Sequence, residues 1–157
     1  IMIFLKINKH LFLVFIIIFF VFYPITNFKF VDYDDYLHLK KVKNFSIDDL
    51  VFFWLKPFEG LYMPVSYNIR QLIVLVSELF SQKENNLSKF FHTFSLIVHL
   101  INVYLVFNLL NEISRKKDQT VLGALFFGLH PIQVESIAWV SQIGILIGFS
   151  FAMFSIY

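Results

Sequence analysis

The chain contains no cysteine, which excludes a disulfide framework, a thiolate metal centre and a cysteine nucleophile. Glycine and proline are scarce, five and four among 157 residues, too few for a collagen-like or low-complexity chain. Charged residues make up only 15%, against roughly 25% in ordinary soluble domains. Their signs nearly cancel, 13 Lys and Arg against 11 Asp and Glu for a net +2, so the chain carries no electrostatic footprint for nucleic acid. What it has instead is apolar bulk: 58% hydrophobic and 20% aromatic residues, with 22 Phe. Such a composition excludes disorder, which needs few aromatics. It leaves an all-α, polytopic integral membrane protein. A span needs about 20 apolar residues, so there is room for roughly three or four spans and one sizeable loop. The chain starts Ile1-Met2 and stops at Tyr157 inside an apolar run, a pattern expected of the amino-terminal part of something longer.

The first apolar block, residues 11–23, follows Lys6, Lys9 and His10. A basic stretch and a short apolar one resemble a signal peptide, but no small-residue cleavage site follows. Span 1 is therefore expected at about 7–27 as an uncleaved anchor. Residues 28–89 form a mixed outer loop with two amphipathic helices. Ser46 is an N-cap with Asp49 three residues on, in a capping-box-like arrangement, and Pro57 ends that helix, 46–56. Ile47, Leu50, Val51 and Trp54 share one face. In the second, 64–80, the face is Val65, Ile69, Leu72, Ile73, Val76 and Phe80. Aromatic-rich amphipathic helices tend to lie in the membrane interface rather than cross it; packing against a soluble core is the alternative. Span 2 is expected at 90–110, span 3 at 120–137 with an interruption after His130-Pro131, and span 4 at 140–157. The basic turn Arg115-Lys116-Lys117 reads as cytoplasmic. With 64–80 lying flat, the outer loop and His130 share the opposite side.

Three groups of residues can carry chemistry. Asp32-Tyr33-Asp34-Asp35-Tyr36 lies just past span 1. A carboxylate there can act as general base toward a hydroxyl or hold a hard divalent cation; a solvated turn fits the same residues. His130 and Glu135 flank a proline break, and a broken helix at membrane depth is tolerated where it lines a cavity. They can bind a phosphate or orient a base, or they can form a plain helix-end kink. His99 and Asn102, at i and i+3, share a face of span 2 and fit either a ligand site or interhelical hydrogen bonding. No phosphate loop, nucleophile elbow or His/Cys metal motif is present, and no metal ligands are assigned.

In order along the chain come Phe30-Val31-Asp32-Tyr33-Asp34-Asp35, Tyr62-Met63-Pro64-Val65-Ser66-Tyr67, Phe91-His92 with His99-Leu100-Ile101-Asn102, and His130-Pro131-Ile132-Gln133-Val134-Glu135-Ser136-Ile137-Ala138-Trp139. Over about residues 28–142 this order resembles the TMTC-type membrane proteins and their bacterial relatives. Those are polytopic glycosyltransferases of the GT-C class with carboxyl-terminal tetratricopeptide repeats. The resemblance implies a polyprenyl- or dolichyl-phosphate sugar donor, typically of mannose, and a Ser or Thr hydroxyl of a protein as acceptor. It implies a bacterial inner-membrane or endoplasmic-reticulum location, with the site on the extracytoplasmic or luminal side. Asp34 and Asp35 then fall where the class places its base, and His130 is a candidate for stabilising the leaving phosphate. One departure stands out: many relatives carry a Glu-Arg-Lys-Asp-like stretch after the tryptophan, where this chain has Gln142-Ile143-Gly144-Ile145. A non-catalytic membrane scaffold presenting repeats, and a transporter, are the rival readings.

Overall fold

The computed structural model describes residues 9–32, 34–80, 86–114 and 116–157. Residues 7 and 8 of the expected first span, Tyr33 of the acidic run and Arg115 of the basic turn lie outside them. The described residues form helices and turns with no strand: α1 (Lys9–Phe22), α2 (Asp34–Leu39), α3 (Ile47–Leu55), α4 (Pro64–Phe80), α5 (Leu87–Ser114), α6 (Lys117–Leu129), α7 (Gln133–Ala138) and α8 (Ile143–Ile156).

Local chemistry sets several boundaries. Pro24 stops α1, and the chain continues in a 3-10 turn, Tyr23–Asn27, closed by the Thr26 hydroxyl donating to the Tyr23 carbonyl at 2.8 Å. The Ser46 hydroxyl caps α3 by accepting from the Asp49 N–H at 3.4 Å. The reciprocal half of a capping box is absent. Ser46 N–H donates to Gln71 Oε1 at 3.0 Å, and the Asp49 carboxylate pairs with Lys41 at 2.8 Å. Lys56, extended ahead of Pro57, ends α3. Pro64 opens α4, where its missing N–H costs nothing. His130, extended ahead of Pro131, ends α6. The stretch 120–137 is thus two helices, α6 and α7, joined by turns at residues 130–132.

Among the described residues, two helical stretches are long and apolar enough to cross a membrane, Lys9–Asn27 and Leu87–Ser114. With 28 residues, α5 spans roughly 42 Å at 1.5 Å per residue, more than the ~30 Å hydrocarbon core. At 13 and 14 residues, α6 and α8 fall short of that length on their own.

Two apolar clusters hold the fold. One joins α1, α5, α6, α7 and α8 through residues such as Ile18, Val103, Phe107, Ala124 and Ile137. The other joins α2, α3, α4, the first turns of α5 and the start of α8 through Val42, Phe53, Tyr67, Phe91 and Ile143. Its centre is a stack of Phe53 on Tyr67 with centroids 4.7 Å apart, with Phe58 edge-on to Tyr67 at 5.4 Å.

The inward face of α4 mixes polar and apolar groups: Ser66, Arg70, Gln71 and Ser77 are buried together with Tyr67, Ile73 and Val74, whereas Leu72, Val76, Leu79 and Phe80 are exposed, Phe80 to 79%. In α3 the buried anchor is Phe53, while Ile47, Val51 and Trp54 face outward. Exposed apolar faces of this extent mark a surface that contacts a membrane or another protein.

Candidate functional site

Just beyond the first apolar helix the chain turns into α2, whose first turn carries Asp34 and Asp35. Their environments differ sharply. Asp35 is fully buried. Its Oδ1 accepts from the Ser141 N–H at 2.8 Å and the Ser141 hydroxyl at 2.6 Å, and its Oδ2 accepts from the Val31 N–H at 2.9 Å. Asp34 is half-buried and lines a cavity of about 610 Å³. Among the described residues its carboxylate accepts no hydrogen bond and forms no ion pair. With both Asp35 oxygens taken by N–H and O–H donors, a divalent cation at this pair would find only Asp34 free. Among the described residues no three His, Asp or Glu side chains converge as a metal centre requires.

The cavity has a polar end and an apolar wall. Asp34, His38, Ser66 and Ser141 supply the polar groups, and Leu61, Met63, Ile145, Ile147 and Phe151 are part of the wall. His38 lies one turn after Asp34 on α2, so the two share a helix face. Its Nδ1 shares a 2.9 Å hydrogen bond with the Tyr67 hydroxyl. Burial pushes the His38 pKa below its ordinary 6.5, and the nearby Arg70 charge adds to this against the opposing pull of Asp34, Asp35 and Glu59. His38 is therefore a neutral imidazole at pH 7. Burial raises the Tyr67 pKa, so its hydroxyl stays protonated. Among the described residues the buried Ser66 hydroxyl has no hydrogen-bond partner, and it lines the cavity, which makes it an open donor. Gly144 keeps the space in front of it: a Cβ there would stand 3.1 Å from Ser66 Oγ.

Behind this wall lies Arg70, fully buried on α4. Its Nη2 donates to the Ser141 carbonyl at 2.9 Å, and its guanidinium stands 5.1 Å from the Tyr67 ring centroid. Ser141 thus joins both charges, its N–H and hydroxyl on Asp35 and its carbonyl on Arg70.

The other residues singled out in the sequence lie elsewhere. His99 Nε2 donates to the Gly128 carbonyl at 3.0 Å, with its ring against Phe22 and Phe127. The Asn102 amide donates to the Leu146 carbonyl at 3.0 Å and its oxygen accepts from the Ser150 hydroxyl at 2.6 Å. Both tie α5 to neighbouring helices, and neither lines the cavity. His130 Nδ1 accepts from the Ile132 N–H at 3.2 Å, its ring is edge-on to Phe126, and Glu135 is exposed. These two also stay outside the cavity. The stretch after Trp139 does reach it: Gln142, Gly144 and Ile145 form part of the cavity wall.

The sequence assigns no site role to His38, Arg70 or Ser141, and marks Ser66 and Tyr67 only as part of the Tyr62–Tyr67 motif. The i, i+4 spacing of Asp34 and His38 was a usable signal; nothing local marks Ser141 or Arg70. No protein-family model matches this chain, and neither does any curated protein or solved structure.

Proposed function

We propose that this chain forms the acceptor-activating part of a membrane glycosyltransferase of the GT-C kind it resembles. It moves a sugar, typically mannose, from a polyprenyl- or dolichyl-phosphate donor to a Ser or Thr hydroxyl of a protein. The observation that carries the reading is the division of labour at the acidic pair. Asp35 is fixed by three donors, and beside it Asp34 presents an unengaged carboxylate to a cavity with an apolar wall.

In this reaction Asp34 takes the hydroxyl proton as the acceptor oxygen attacks the anomeric carbon. The bond from that carbon to the lipid phosphate breaks, its electron pair leaves with the phosphate, and the anomeric configuration inverts. Ser66 and neutral His38 are placed to hydrogen-bond the phosphate, while the Arg70 charge behind Ser141 favours the growing negative charge. The apolar wall suits an isoprenoid chain. Asp35, held by the Val31 N–H and by the Ser141 N–H and hydroxyl, acts as a positioning residue for Asp34. The chain is polytopic in this reading, α6 with α7 and the 140–157 stretch crossing beside the two long helices. The cavity faces the extracytoplasmic or luminal side. The outward apolar faces of α3 and α4 support placement in lipid.

A scaffold without activity is the second reading. It is favoured by the uncharged Gln142, Gly144 and Ile145 in the cavity wall, where relatives carry charges. The test is mannose transfer from polyprenyl-phosphate mannose to a Ser/Thr peptide by the purified full-length protein. Asp34→Asn is expected to lose about 10² to 10⁴ in rate with unchanged thermal unfolding. Full activity of Asp34→Asn discards the base assignment. Absence of transfer by the wild type as well favours the scaffold.

A further inference from the structure

On the other side of α2, away from the Asp34 cavity, lies a second cleft of about 890 Å³. Three lysines line it: Lys29 just after the first apolar helix, Lys43 after α2, and Lys89 in the first turn of α5. No carboxylate lines it, and none of the three lysines has an ion-pair partner among the described residues. In a chain whose charges nearly cancel, the described lining of this cleft carries three positive charges and no negative one. Lys89 also lines a third cavity of about 550 Å³, a groove between α4 and α5 walled by Leu72, Ile73, Val76, Phe90 and Phe94. The cationic cleft and the apolar groove therefore meet at one side chain. The cleft opens beside Thr26 and Asn27, the end of the first membrane-length helix.

We propose that the cleft and groove together bind an anionic membrane phospholipid. Its phosphate lies among Lys29, Lys43 and Lys89, and one acyl chain lies along the α4–α5 groove. A cation cluster alone would take any phosphate, and an apolar groove alone any chain. Their junction at Lys89 selects a molecule that carries both, and the position past a helix end is headgroup depth. The site is separate from the Asp34 cavity. It rests on the membrane placement proposed above but not on the transfer chemistry.

Native mass spectrometry of the detergent-purified protein provides the test. Phosphatidylglycerol and phosphatidylcholine of equal chain length are titrated in turn, with inorganic phosphate as a separate arm. Wild type should retain phosphatidylglycerol at least tenfold more tightly than phosphatidylcholine. Each Lys→Ala change at 29, 43 or 89 should cost about fivefold, and Lys→Arg should restore binding. Thr93→Trp, at an exposed groove position, should weaken phosphatidylglycerol binding without altering circular dichroism. Equal retention of the two lipids overturns the proposal, as does a triple Lys→Ala variant that binds like wild type. Inorganic phosphate binding as tightly as phosphatidylglycerol overturns the lipid part. Sugar transfer is not read in any arm, so failure of the enzymatic reading is seen separately. A protein that stays in solution without detergent removes the membrane placement and this site together.

Discussion

Asp35 and Ser141 stand 106 positions apart and are joined twice, the Ser141 N–H and hydroxyl both donating to one Asp35 oxygen at 2.8 and 2.6 Å. This contact brings the loop after the first helix and the segment after Trp139 to the same end of the molecule. Because Ser141 also holds Arg70 through its carbonyl, one residue links an acid and a base that would otherwise be buried apart.

Truncating Asp35 therefore orphans several groups at once. Asp35→Ala leaves the Val31 and Ser141 N–H groups without an acceptor and Arg70 without a nearby counter-charge, a loss of about 3 kcal/mol or more. Ser141→Ala removes one hydroxyl donor and keeps the backbone bond, so about 1 to 2 kcal/mol is expected. Thermal unfolding in detergent should rank them wild type, Ser141→Ala, Asp35→Ala. An Asp35→Ala protein with the wild-type midpoint would show that the carboxylate is not structural.

A second prediction concerns pH. The folded-state pKa of His38 is lowered from 6.5, mainly by burial and then by Arg70. Folding therefore favours the neutral form, and the unfolded chain takes up the proton first as pH falls. The contribution is complete above 6.5 and is lost progressively below it, down to the folded-state pKa. His38→Gln keeps a hydrogen-bonding side chain near Tyr67 without the titration. The difference in unfolding midpoint between wild type and His38→Gln should be flat above pH 7 and should turn against the wild type toward pH 5. Parallel curves across that range would rule out a buried neutral His38.

These features differ in how far the sequence revealed them. The Ser46 cap and the stops at Pro57 and Pro131 depend on neighbouring residues and were legible. So were the bounds of α4, because Pro64 opens it and its apolar stripe persists to Phe80. The inward face of α4 was not, since a stripe such as Leu72, Val76 and Phe80 says which residues are alike but not which side meets protein. The Asp34–Asp35 pair was legible as a candidate. The burial of Asp35 was not, because its partner Ser141 comes from a distant segment that no local rule connects to it. His99 and Asn102 are conspicuous as polar residues in an apolar run, yet their partners are the backbone carbonyls of Gly128 and Leu146. Backbone acceptors leave no trace in side-chain patterns.

The turn beside the cavity stores strain that can be removed. Phe58 and Leu61 exchange backbone hydrogen bonds at 2.9 Å, and between them Glu59 and Gly60 both have positive φ, 47° and 76°. Two positive φ values are the requirement of a type I′ turn, for which Asn-Gly is the favoured pair. Glu59 also faces Lys40 at 3.8 Å, but an exposed pair of that kind contributes little. Glu59→Asn should therefore stabilise the protein by about 0.5 to 1 kcal/mol. Gly60→Ala should destabilise it by about 1 kcal/mol through backbone strain alone, since nothing stands within 4 Å of the added methyl. Chemical denaturation of both variants checks the pair. A stabilised Gly60→Ala would contradict the turn geometry.

The last prediction concerns a close approach of helices at Gly128. Gly128, at the end of α6, leaves no room for a side chain: an added Cβ would collide with Ile18 Cδ1 of α1 and stand 3.1 Å from Val103 Cγ2 of α5. The Gly128 carbonyl also takes the His99 hydrogen bond, so a shift of α6 would disturb packing and polar contact together. Gly128→Ala should cost about 1 to 3 kcal/mol by overpacking. Ile18→Val removes the methyl that collides, at a cost of about 0.5 to 1.5 kcal/mol by itself. Combined with Gly128→Ala, it should recover part of the loss, so the two costs are not additive. Thermal unfolding of the two single variants and the double variant measures the coupling. Additive losses would mean that α6 moves away from α1 instead of pressing on Ile18.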